Sequence, residues 1–285
     1  MPAADYDRIP LLRHRAIVAG RCGAGSVCIM ASIFVTGSSD GIGLQTARQL
    51  VSGGHRVVLH ARDEARAAAA AAAVPEAAAV AIGNLSSVAG IRQAAESANE
   101  LGPYDAVIHN AGVGSATARR PTVDGYERIF AVNVLGPYLL TALMPAPSRL
   151  VYLASGLEAA GRVNLGDLQW ERRAWNGMQA YCDSKLYDVL LAFAVARRHP
   201  DLLSNAVDPG WIKTKLGGPG ATDELPVGAD TQVWLATSGE PEALVTGRYF
   251  KWRQDLRANP EAYDTDLQEA LLAACAKLTG TELPG

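Results

Sequence analysis

The chain has 285 residues, 49% of them hydrophobic, and a formal net charge of −3. That is enough apolar material for one substantial core, so a disordered chain is excluded and a single domain is the simplest organisation. No sustained basic block offers a footprint for nucleic acid, and no apolar run is long enough to span a membrane. Cys22, Cys28, Cys182 and Cys275 form no Cys-x-x-Cys pair and the five histidines are scattered. Neither a disulfide framework nor a metal site is indicated, and reduced thiols in a cytoplasmic protein fit better.

At the front, Asp5, Asp7, Arg8, Arg13 and Arg15 precede a mildly apolar stretch from Ala16 that Arg21 interrupts. Acids before the apolar part and an arginine within it argue against a signal peptide. Gly20, Gly23 and Gly25 imitate a nucleotide loop, yet no helical pattern follows before Met30. Residues 1–29 are expected to be a dispensable extension, and 30–285 the folded domain.

From Ala31 an apolar run stops at Thr36-Gly37, and a helical pattern begins at Ile42. Strand, glycine turn and helix start make the layout of a dinucleotide phosphate site. Gly37 suits the tight turn, Gly41 the approach of phosphate, and Gly43 close packing of helix on strand. Thr36, Ser38, Ser39, Asp40 and Ile42 complete the candidate loop. Its spacing, G-x-x-x-G-x-G, departs from the G-x-G-x-x-G of ordinary dinucleotide folds, and taken alone it is equally a simple turn.

Leu44, Ala47, Leu50 and Val51 carry the helix to Gly53-Gly54, and Arg56–Ala61 reads as a second buried strand. Folds that bind NAD often end this strand with an acid that holds the ribose hydroxyls. Here Ala61 is followed by Arg62, whose guanidinium suits a ribose 2′-phosphate and so NADP(H) in preference to NAD(H). The other reading of Arg62 is a solvated residue at a helix start.

An alanine-rich helix over 64–73 and a strand over 78–82 lead to Asn84 and Leu85. A helix over 88–101 follows, and then a strand over 105–109 that ends in His109-Asn110-Ala111-Gly112. His109 reads as a packed strand-end residue. Asn133 lies in an apolar helix over 125–143, where a buried amide needs partners. A strand over 149–154 ends at Ser155, which is also a common turn residue. Strands alternating with helices imply an α/β parallel sheet with ligand at the strands' C-terminal edge.

Tyr181 and Lys185 form the single Y-x-x-x-K of the chain. Positions i and i+4 share one helical face, so phenol and ammonium can address one ligand. A free phenol has a pKa near 10, and a neighbouring cation favours its ionised form, which suits general acid or base work. An isolated pair of this kind is usually surface decoration.

In this order, Thr36-Gly37-x-x-x-Gly41-Ile42-Gly43, His109-Asn110-Ala111-Gly112, Asn133, Ser155 and Tyr181-x-x-x-Lys185 resemble the short-chain dehydrogenase/reductase family. The likeness runs from Met30 to roughly Leu278. It implies a single Rossmann-like doubly wound domain with about seven parallel strands and substrate loops around 156–178 and 211–228. It also implies hydride transfer between the nicotinamide of NADP(H) and a ketone, aldehyde or alcohol.

In that scheme Tyr181 exchanges the proton, Ser155 holds the oxygen, Lys185 tunes Tyr181 and binds the nicotinamide ribose, and Asn133 organises a proton relay. Cofactor contacts carry over to Asn84, Leu85, Asn110, Ala111 and Gly112, and to Pro209, Gly210 and Thr214 of the Asp-Pro-Gly segment. Asn84 departs from the usual acid, and His109 from the usual asparagine. Dimers or tetramers through the Asn133 and Tyr181 helices are what the family suggests.

Gly161-Arg162-Val163-Asn164, Asp167-Leu168 and the wide Ser155–Tyr181 spacing look like the retinol dehydrogenase/WW-domain oxidoreductase branch, although Ala154 stands where a second serine is usual. Trp170, Trp175, Met178, Trp211 and Leu216 suit either an apolar substrate pocket or ordinary packing. An NADP(H)-binding sensor without turnover is the rival reading, and retention of Tyr181 and Lys185 favours the enzyme. A chain begun at Met30 is expected to fold with the full-length circular dichroism spectrum, and an unfolded product contradicts the dispensable extension.

Overall fold

The computed structural model describes residues 19–21 and 27–284. The expected extension lies outside them apart from an antiparallel hairpin of β1 (Ala19–Arg21) and β2 (Val27–Ile29).

The domain from Ala31 onward is built on one sheet. Its strands are β3 (Ser32–Val35), β4 (Arg56–Ala61), β5 (Ala79–Ile82), β6 (Ala106–His109), β7 (Arg149–Leu153), β8 (Leu203–Val207), β9 (Tyr249–Lys251) and β10 (Gln254–Leu256). Their spatial order is β10-β9-β8-β7-β6-β3-β4-β5. Seven strands run parallel, as the alternating pattern predicts, and β10 adds an antiparallel eighth at the edge. The β9–β10 turn has Trp252 and Arg253 both in the left-handed region (φ 51° and 60°). Such turns normally carry Asn-Gly, so the sequence gives no warning of it. Asp230 holds the turn by accepting from Arg253 Nε at 2.6 Å.

Helices cover both faces because the strands are apolar on both sides. On one side lie α1 (Gly41–Ser52), α2 (Glu64–Ala73) and α7 (Leu225–Thr237), packed on Ile33, Val35, Val57 and Leu59. On the other lie α3 (Val88–Leu101), α5 (Gly136–Leu143) and α6 (Gly177–Arg198), sharing a core with Phe34, Val58 and Val107, and α8 (Thr265–Thr279) lies against α6. Side-chain oxygens cap most helix starts: Asp40 takes the Gly41 amide at 2.8 Å, Asp63 that of Arg66 at 2.8 Å, and Asn176 that of Gln179 at 3.0 Å.

The expected helix over 125–143 starts later. Gly125 sits in a turn at φ 81°, Thr122 N donates to Tyr126 O at 2.8 Å, and Glu127 caps the short α4 (Arg128–Phe130). A π turn over Ala131–Leu135, which holds Asn133, then leads into α5. Helix α6 is enclosed by its own chain, with every residue from Ala180 to Ala196 buried. Helix α8 lies against it, its Glu269 paired with both Arg197 and Arg198, and the Tyr263 ring 5.2 Å from Phe193. Among the described residues no helix is long and apolar enough to cross a membrane.

Candidate active site

Strand order reverses between β3 and β6, and a crevice opens beyond their C-terminal ends, the usual ligand position in doubly wound sheets. The glycine turn after β3 forms one wall. Gly37 and Gly41 adopt φ 62° and 55°. A side chain at Gly37 would meet Ala111 Cα at 2.8 Å, and one at Gly43 would meet Asn110 Nδ2 at 2.3 Å. Asn110 Nδ2 donates to Thr36 O at 2.9 Å, and Thr36 Oγ1 accepts from the amides of Asn110 and Ala111, both at 2.9 Å. The two strand ends are thus knotted together.

The cleft, of about 1160 Å³, is lined by Gly37, Ser39, Asp40, Gly41, Ile42, Gly43, Arg62, Asn84, Leu85, Asn110, Ala111 and Gly112 on the turn side. Ser155, Tyr181, Lys185, Pro209, Gly210 and Thr214 line it on the other. Three expected site residues lie outside this lining. Thr36 is buried and spends its hydroxyl on β6, which removes it from direct ligand contact. Ser38 is buried too, with Oγ donating to Val35 O at 2.9 Å and accepting from His60 N at 2.8 Å. Asn133 stands one layer back, where Oδ1 accepts from Val113 N at 2.8 Å and Nδ2 donates to Val113 O at 3.1 Å and Ser184 Oγ at 3.0 Å. Ser184 Oγ in turn donates to Tyr181 O at 2.8 Å, so Asn133 braces the helix turn that carries the tyrosine.

Lys185 is buried, and its ammonium donates to Leu153 O at 2.7 Å and Asp188 Oδ2 at 2.8 Å. Nζ lies 5.9 Å from the Tyr181 ring centroid. Burial opposes charge on Lys185, but Asp188 and Tyr181 outweigh it and raise the lysine above its ordinary value. Burial pushes the Asp188 carboxyl up to about 6 against the pull of Lys185. Gly112 faces this pair, since a side chain there would stand 3.5 Å from Lys185 Nζ. Asp188 is legible in retrospect, one helical turn beyond Lys185 and inside an apolar run.

Other lining residues went unread. Arg66 follows Arg62 on the turn side, and Lys215 reaches across to Asp40 Oδ2 at 2.6 Å. That hydrogen bond is the main cause holding the Asp40 carboxyl below its ordinary value. Arg62 is exposed and pairs with Asp63 at 3.1 Å. Away from the glycine turn, Met178, Trp211 and Leu216 line the cleft as exposed apolar residues, joined by Leu157. Trp170 and Trp175 instead pack edge to face behind Tyr181, ring centroids 5.5 Å apart. His109 is packed, as expected: Nε2 pairs with Thr141 Oγ1 at 3.0 Å, and burial lowers its pKa to about 3.

Residues 31–224 match the family described as short chain dehydrogenase. Short-chain dehydrogenase chyC of Penicillium rubens is 43% identical over 90% of this chain and 100% of its own. Retinol dehydrogenase 13 of Homo sapiens is 33% identical over 94% of this chain and 90% of its own. Among solved structures, a blue fluorescent protein from a metagenomic library, in complex with NADPH, superposes with a TM-score of 0.61 at 26% identity, covering 78% of this chain and 95% of that one. The chain belongs to the short-chain dehydrogenase/reductase family. It is an oxidoreductase of that family, with retinol dehydrogenases among its relatives.

The Lys185–Asp188 pair generates a direct expectation. Asp188→Asn strands a buried ammonium, and equilibrium unfolding should show a loss of about 3–5 kcal/mol. An unchanged unfolding midpoint contradicts the pair's structural weight.

Proposed function

We propose that the chain is an NADP(H)-dependent carbonyl reductase or alcohol dehydrogenase. What carries the reading is the convergence on one cleft of the left-handed glycine turn, the α1 N-terminus, Ser155 and the Tyr181–Lys185 pair. The residues fit a dinucleotide. Amides at a helix start favour phosphate oxygens, and Gly41 keeps the approach open, the nearest atom to a Cβ placed there being Thr214 Cγ2 at 3.5 Å. Bound there, the nicotinamide supplies or accepts the hydride.

The chain's own groups handle the proton and the alignment. Ser155 Oγ and Tyr181 Oη hold the substrate oxygen, and Tyr181 gives that oxygen its proton in reduction or takes it in oxidation. The Lys185 ammonium, fixed by Leu153 O and Asp188, supports negative charge that develops on the phenol oxygen and has one N–H left for the cofactor ribose. Asn133 positions Tyr181 through Ser184. Asn110, Ala111, Gly112, Pro209, Gly210 and Thr214, which line the same cleft, would hold the cofactor, with Asn84 and Leu85 toward its base.

A 2′-phosphate is favoured by Arg62 after Ala61, with Arg66 one turn further on, and a relative by structure is described with NADPH. The exposed side chains of Leu157, Met178, Trp211 and Leu216 suit a medium-sized lipophilic ketone, aldehyde or alcohol. Retinol, in the name of the human relative, is one such compound by chemistry alone. Buried free thiols at Cys182 and Cys275 fit a cytoplasmic setting. A homodimer through the Tyr181 helix has to accommodate α8, which covers it.

Consumption of NADPH against a panel of aldehydes and ketones tests the reading. Wild type should turn over at least one lipophilic carbonyl, and Tyr181→Phe should lose about 10²-fold or more of that rate. Equal rates in both remove Tyr181 as the proton donor, while cofactor binding without any turnover favours a sensor. Arg62→Ala should weaken NADPH by roughly tenfold with little effect on NADH. Equal losses for the two contradict the 2′-phosphate assignment.

A further inference from the structure

His60 lies next to last in β4, in a strand that is otherwise apolar from Val57 to Ala61, and it is buried. Its ring nitrogens both have partners. Gly37 N donates to Nδ1 at 3.0 Å, and Nε2 lies 2.9 Å from Gly83 O. An amide can only donate and a carbonyl can only accept, so Nδ1 is bare and Nε2 carries the hydrogen. The ring is therefore neutral, in one defined tautomer. His60's own backbone adds two more ties to the turn: its N–H donates to Ser38 Oγ at 2.8 Å, and its carbonyl accepts from Ser38 N at 3.2 Å.

Three bonds thus hold residues 37 and 38, and the fourth reaches Gly83. The two ends differ in rigidity. A side chain at Gly83 would meet Gly90 O at 2.4 Å, so that point is packed hard against α3. Gly37, at φ 62°, has the conformational freedom of glycine and needs an external anchor to stay in one arrangement. Gly83 is followed directly by Asn84 and Leu85, which line the base side of the cleft. We propose that His60 is a positioning residue for the cofactor, a neutral clamp that fixes the phosphate-side glycine turn to the base-side end of β5. The proposal rests on the dinucleotide reading of the cleft.

Acid should release the clamp, because a protonated Nδ1 cannot accept from Gly37. Burial already lowers the His60 pKa to about 4, with the Gly83 bond opposing. In the folded protein the clamp therefore stays closed until pH approaches about 4, while its contribution to stability against the unfolded chain is full above the ordinary histidine value and is lost as pH falls toward about 4. Strands β3 and β5 carry no charged residue, and the glycine turn brings only Asp40, which is engaged by Lys215 and faced by Arg66. Arg62, just beyond β4, is held by Asp63. Phe34 presents its ring to His60 edge to face at 6.2 Å.

The test measures NADP⁺ binding by calorimetry and amide exchange at Gly37 at neutral pH, and unfolding free energy between about pH 4.5 and 7.5, in wild type, His60→Leu and His60→Gln. At neutral pH, His60→Leu should raise the NADP⁺ Kd by roughly tenfold or more, the scale of one lost buried partner, and speed Gly37 exchange. His60→Gln has an acceptor and a donor on one amide, and should return affinity to within about threefold of wild type. Wild-type unfolding free energy should fall more steeply than that of His60→Gln as pH drops from about 6.5 to about 4.5, a contrast that survives if the leucine variant fails to fold. Wild-type affinity in His60→Leu, or the same acid loss of stability in His60→Gln, overturns the clamp. Absence of NADP⁺ binding by wild type refutes the dinucleotide reading instead, and Gly37 exchange that is unchanged in both variants then overturns the clamp independently.

Discussion

The closeness of two chain turns at the point where the sheet reverses its strand order governs the rest of the molecule. Gly37 and Gly43 allow the turn after β3 to lie against Asn110 and Ala111 after β6 with no room for a side chain between them. Thr36 and Asn110 then stitch the two turns with four hydrogen bonds, counting both Asn110 Nδ2 contacts on the Thr36 and Gly37 carbonyls and both amides on Thr36 Oγ1. A crevice with fixed walls follows from that contact, and α1 starts in it with its first amides directed at the opening. The same contact explains why Thr36, though part of the loop's signature, faces inward, while Ser38 is drawn in by Val35 and His60.

Behind the crevice a second constraint operates. Lys185 and Asp188 carry opposite charges in a nearly dry layer, a costly arrangement unless both are held by further bonds. Leu153 O supplies one, and Gly112 leaves the lysine side open to the cleft. Helix α6, which carries Tyr181, Lys185 and Asp188, is wrapped on one side by the sheet and on the other by α8. Such a helix offers a rigid mount for the side chains it presents to the cleft. By contrast, the 211–228 segment is tied to the turn by the exposed Lys215–Asp40 pair, a bond easily exchanged in water.

Much of this was legible beforehand because the signals were local. Apolar runs closed by glycine gave β3, β4 and α1 nearly to the residue, and helical spacing gave the Tyr181–Lys185 face. What escaped needed distant contacts. The β9–β10 hairpin uses Trp252 and Arg253 where glycine or asparagine is usual, held by Asp230 on α7. His60 looked like one more residue of a buried strand until Gly37 and Gly83 were found on its two nitrogens. Asn133 reads as a buried amide in need of partners, but its partners Val113 and Ser184 lie 20 and 51 residues away, beyond the reach of spacing. The late start of the Asn133 helix turns on Gly125 adopting a left-handed turn, which the Asp124-Gly125 dipeptide signals.

The central claim, that this cleft exchanges hydride between a nicotinamide and a carbonyl carbon, is tested most directly by isotope. A lipophilic ketone incubated with the protein and NADPH deuterated at C4 on the transferred face should yield alcohol with deuterium on the carbinol carbon. Repeating the reaction with unlabelled NADPH in heavy water should leave that carbon unlabelled. Alcohol labelled on carbon from the solvent, or formed without label from the cofactor, contradicts the account.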